Sequence, residues 1–61
     1  MKFSEIYNLI GGYVKIFNSR GALLLIETDE TPFRRLSKFF SREIVSIEPV
    51  DDNTTAVYIK A

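Results

Sequence analysis

The chain has 61 residues, 46% of them hydrophobic and 26% charged, with eight basic and eight acidic side chains that cancel. That is the composition of one globular domain, residues 1–61, whose core supplies only roughly 3–5 kcal/mol and for which help from a second subunit is no surprise. The lack of cysteine and histidine removes disulfides, thiolate chemistry, the commonest general base and the commonest transition-metal ligand, and zero net charge removes any global pull toward nucleic acid or an anionic membrane.

Phe3, Ile6, Leu9 and Ile10 recur at helical spacing, so residues 2–10 are expected to form an amphipathic helix, closed by left-handed Gly11 and Gly12. The stretches "YVKIF" (13–17) and "ALLLIE" (22–27) flank "NSRG", whose Asn18 and Gly21 tolerate positive φ, and together they read as a β-hairpin. Val14 and Ile16 point one way, and Tyr13, Lys15 and Phe17 the other. Leu23, Leu24, Leu25 and Ile26 do not alternate, which is the pattern of a strand covered on both faces, although a chain of this length has little left to cover the second.

Thr31 followed by Pro32 is a helix start, with threonine as the cap and proline in the first turn of a helix spanning 32–40. Phe33, Leu36 and Phe40 form its core side, Arg34, Arg35 and Lys38 its wet side, and Phe39 lies at the boundary. The segments 43–50, "EIVSIEPV", and 55–60, "TAVYIK", make a second hairpin around "DDNT". Pro49 cannot donate to a ladder and therefore puts the third strand at an edge or in a bulge. The expected fold is α+β in the order α-β-β-α-β-β. It is a mixed or antiparallel four-stranded sheet with two short helices on one face, in which a helix between the second and third strands lets them run parallel.

The chemistry-bearing residues support binding more than catalysis. No catalytic residue pair, metal site or cofactor site is singled out: Asp51, Asp52 and Asn53 are accounted for by the turn and lack the spacing of a calcium loop. The sheet face away from the helices would carry Tyr13, Phe17, Leu24, Ile26, Ala56 and Tyr58, a patch larger than monomers usually expose, so a partner is expected there, most simply a second copy. The alternative is a nucleic-acid-binding module on the basic helix 32–42, with Arg34, Arg35, Lys38 and Arg42 on phosphates and Phe39 near them. The helix dipole explains much of the same pattern, since Glu27, Asp29 and Glu30 precede the helix and Lys38 and Arg42 close it.

The longest apolar run, residues 22–26, is too short to span a bilayer and the first residues carry no signal-peptide core, so a cytoplasmic protein without membrane contact is expected. The two ends, "MKFSEIYNLIGGYVKIF" and "REIVSIEPVDDNTTAVYIK", resemble short uncharacterised proteins of phages and mobile elements from low-GC Gram-positive bacteria, which join a short N-terminal helix and a strand to a closing "SIEPVDDNT"-like hairpin. The resemblance implies no activity. It implies an accessory or regulatory role, such as binding a host protein.

Overall fold

The computed structural model describes residues 1–60. In chain order the elements are α1 (Phe3–Tyr7), β1 (Tyr13–Asn18), β2 (Leu23–Ile26), α2 (Phe33–Ser37), β3 (Ile44–Asp51) and β4 (Thr54–Ile59). The strands form one mixed sheet in the order β2-β1-β4-β3, with the two hairpins antiparallel and the central pair β1 and β4 parallel. The second and third strands therefore run in the same direction but at opposite edges, and the chain between them, α2 included, passes from one edge to the other.

Period-two alternation on the central pair makes the core. Val14, Ile16, Val57 and Ile59 share one face and none has any exposed surface. Leu25 of β2 joins them opposite Ile16. Phe3 and Ile6 of α1 and Leu36 of α2 cover that same face, so both helices lie on one side of the sheet. Phe3 is fully buried, with its ring centroid 5.5 Å from Tyr7 and 5.6 Å from Phe40.

Backbone pairing also holds α1 down. The Phe3 and Ser4 amides donate to the carbonyls of Arg42 and Phe40, each at 3.0 Å, and the Ile44 amide donates to Met1 at 2.8 Å. Two orphan donors of a short helix and the segment leading into β3 are satisfied together. The α-amino group also pairs with Glu43 Oε2 at 3.0 Å and holds that carboxyl below its ordinary pKa.

The local geometry departs from the sequence expectations at several points. Both helices are five residues long instead of nine, because Asn8 and Lys38 lead into turns whose amides bond three residues back. Gly11 and Gly12 are not left-handed; only Gly21 has a positive φ, 89°, in the first hairpin loop. Asn18 contributes to that loop with its side chain, Oδ1 accepting from the amides of Arg20 and Ala22. Gly12 is required for a different reason: a Cβ there would lie 2.2 Å from the Asn53 carbonyl oxygen, where Tyr13 donates its amide to the same oxygen at 2.7 Å.

Thr31 does not cap α2. Its hydroxyl accepts the Thr28 amide at 2.8 Å and closes a 28–31 turn, leaving Pro32 as the extended residue before the helix. Phe33, expected in the core, is 64% exposed and meets only the edge of Phe40, because a helix that stops at Ser37 turns a single residue, Leu36, fully inward. Strand β3 is an edge strand as Pro49 requires, with bulges between Ile44 and Ser46 and between Pro49 and Asp51.

The close approach at Gly12 yields a paired test. Gly12→Ala is expected to cost about 1–3 kcal/mol by forcing the Asn53 turn away, whereas Gly11→Ala, with open space around it and no positive φ, is expected to be neutral or slightly stabilising. Urea denaturation of the two variants measures both.

Candidate interaction face

Burying Val14, Ile16, Val57 and Ile59 turns the intervening residues of β1 and β4 to the other side of the sheet. Among the described residues no helix covers that side, since α1 and α2 both pack on the core face. Its centre is Phe17 beside Tyr58, which are paired in register and stacked with ring centroids 5.0 Å apart and an interplanar angle of 18°. On β2, Leu23 is the register partner of Phe17 and Ile26 that of Lys15, with the bulge residue Leu24 between Leu23 and Leu25; Leu23, Leu24 and Ile26 are 49%, 40% and 45% exposed, and Ala56 forms a shallow floor. Of the residues expected there, Tyr13, Phe17 and Tyr58 share this side by strand alternation and Ile26 joins them beside Lys15, while the bulge leaves Leu24 without a register partner.

The face has an ordered layout. One row across the sheet runs Ile26, Lys15, Ala56, Glu48, and the next runs from β2 through Phe17 and Tyr58 to Ser46. Lys15 is half-buried by its apolar neighbours while Glu48 is exposed at the β3 edge. Neither makes an ion pair among the described residues, where the α-amino group with Glu43 is the one salt bridge.

A polar clasp fixes the β2 flank. Glu27 follows β2 and accepts the Tyr7 hydroxyl at 2.6 Å through Oε2 and the Val14 amide at 3.1 Å through Oε1, while its own amide donates to Val14 at 2.9 Å. One carboxylate thereby joins α1, β1 and β2. The bond to Glu27, partial burial and the adjacent negative charge push the Tyr7 hydroxyl up to about 12. On β1, Tyr13 donates its hydroxyl to Asp29, a bond that raises the Tyr13 pKa above its ordinary value.

The basic residues of α2 are distributed differently from the single stripe the sequence suggests. Arg34, Arg35 and Lys38 are exposed with no carboxylate in ion-pair range among the described residues. Arg42 is not part of a free cluster: its Nη2 donates to the Lys60 carbonyl at 2.6 Å, tying the α2–β3 connection to the end of β4. Phe39, suggested as a stacking aromatic, packs against the core, and Phe33 is the exposed ring beside the arginines.

Among the described residues no helix is long and apolar enough to cross a membrane. No family model, curated protein or solved structure matches the chain.

The Tyr7 clasp makes stability sensitive to alkali. A hydroxyl raised from 10.0 to about 12 favours the protonated folded state, so its contribution is complete below pH 10 and is lost as pH rises from about 10 to 12. Tyr7→Phe is expected to cost about 1 kcal/mol at pH 7 and to flatten this part of the alkaline stability profile, measured by thermal unfolding from pH 7 to 12.

Proposed function

We propose that the protein is a non-enzymatic protein-interaction module that associates with a second copy of itself through the open face of the sheet, in an accessory or regulatory setting. The stacked Phe17–Tyr58 pair, flanked by Leu24 and Ile26 on an uncovered face, carries this reading. The resemblance of the chain's ends to short phage proteins supplies only the setting.

The sheet edges favour association through the face. Edge-to-edge addition needs a long, flat, unpaired strand, but β3 is interrupted by two bulges and Pro49, and β2 has four residues and its own bulge. The aromatic rings favour a protein partner as well. Phe17 and Tyr58 occupy one face of each other, so they do not present the flat open platform on which unpaired bases stack. Four strands about 4.8 Å apart and about six residues long span roughly 19 by 20 Å, on the order of 400 Å² per copy, the size of a weak and transient contact. Self-association is therefore expected to be weak and concentration-dependent.

Sedimentation velocity over a wide concentration range tests this reading. The wild type is expected to shift from monomer to dimer, and the exposed-site variants Leu24→Asp and Ile26→Asp to remain folded monomers, with folding checked by circular dichroism. A wild type that stays monomeric at millimolar concentration, or aspartate variants that still dimerise, would overturn it.

A second reading has its own observation in α2, where exposed Phe33 adjoins Arg34, Arg35 and Lys38 and no carboxylate of the described residues pairs with them. Three cations beside an exposed ring suit a phosphate-bearing strand, with affinity that falls steeply with salt. On this reading Arg35→Glu abolishes binding of a mixed single-stranded oligonucleotide at low salt, as measured by fluorescence anisotropy; undetectable or salt-independent wild-type binding removes it.

A further inference from the structure

The open face carries two charges that have no ion-pair partner among the described residues, and their positions specify how a second copy sits. Lys15 and Glu48 occupy the same row, one on each side of Ala56. With strands about 4.8 Å apart, they stand roughly 10 Å from each other at the backbone and about equally far from β4. Two charges of opposite sign placed symmetrically about a central strand are self-complementary under a two-fold rotation about an axis parallel to that strand.

Resting on the self-association proposed above, the geometry points to a face-to-face homodimer whose two-fold axis runs along β4 between the sheets, with Lys15 of each copy on Glu48 of the other. The layout supports this axis in the neighbouring row too. The rotation places Phe17 over the partner's Ser46, a large side chain over a small one, and brings Ala56 and Tyr58 onto the axis against their own counterparts. Sheets that pack face to face lie about 10 Å apart with strands within about 30° of alignment, a separation a lysine and a glutamate can jointly bridge.

The other two-fold arrangements are disfavoured by Lys15. An axis over β1 sets Lys15 against itself. An axis across the strands along the charged row sets Lys15 on Lys15 and Glu48 on Glu48. An axis across the strands between the two rows covers Leu24 and Ile26 more fully, but leaves Lys15 inside the interface without a carboxylate, a costly loss of solvation. In the arrangement along β4, Leu24 and Ile26 of one copy overhang the partner's β3 edge, where Val45, the extra residue of the first bulge, is 58% exposed. The ion pairs then act mainly on register, while the apolar rows supply the affinity.

Charge exchange tests the arrangement. Lys15→Glu and Glu48→Lys are each expected to weaken self-association at least tenfold, because the two-fold places every like-charge contact in the dimer twice. Mixing the two variants restores association as a heterodimer, since each remaining contact then joins a glutamate to a lysine; the double variant Lys15→Glu/Glu48→Lys restores it alone. Sedimentation velocity on the separate, mixed and double variants, with circular dichroism to confirm folding, reads all of these. If the wild type dimerises but mixing and double exchange fail to restore association, the axis along β4 is wrong while the interaction face stands. A monomeric wild type overturns both.

Discussion

The parallel pairing of β1 with β4 is the constraint on which the rest of the structure depends. Those strands lie at the centre of the sheet and supply Val14, Ile16, Val57 and Ile59, the four strand side chains from which solvent is fully excluded. Because strand side chains alternate strictly, committing these four to the helices commits Lys15, Phe17, Ala56 and Tyr58 to the opposite side. A larger protein would cover that side with another layer. This chain has two five-residue helices and uses both on the first face.

Polar contacts make so small a layer hold. Glu27 joins α1, β1 and β2 through one side chain, and the amides of Phe3 and Ser4 join α1 to the segment before β3. Arg42 then ties that segment to the end of β4. These contacts bridge elements that are distant in the chain. They fix the two hairpins relative to each other and keep the face between them continuous, while bulges, Pro49 and short length blunt both edges. The same features that hold the fold together are the ones on which the proposed association through the face rests.

Much of this was legible in the sequence because it is written in local pattern. Alternation in "YVKIF" separates Val14 and Ile16 from Tyr13 and Phe17, turn-forming residues mark both hairpins, and Pro49 marks an edge. The misreadings arose where a distant segment decides. Gly12 looks like a helix terminator, but its neighbour is the Asn53 carbonyl, forty-one residues on. Thr31 looks like a helix cap, yet its hydroxyl is taken by the Thr28 turn, and Phe33 looks like core until the helix proves too short to turn it inward. Glu27 and Arg42 read as surface charges, since nothing near them in sequence announces Tyr7, Val14 or the Lys60 carbonyl as partners. Of the open face, the part on β1 followed from alternation, while the part on β2 depends on a register and bulge that its unbroken apolar run does not reveal. The basic stripe did not follow, because helical position cannot reveal which cation a remote carbonyl will hold.

The proposed meeting of two copies at the uncovered sheet face can be observed atom by atom. An isotope-filtered nuclear Overhauser experiment on an equimolar mixture of labelled and unlabelled chains, at a concentration where dimer is populated, addresses it directly. Association through the face is expected to give intermolecular contacts from the rings of Phe17 and Tyr58 and the methyl groups of Leu24 and Ile26. Intermolecular contacts confined to α1, α2 or the outer edge of β3, with none from that face, would contradict it.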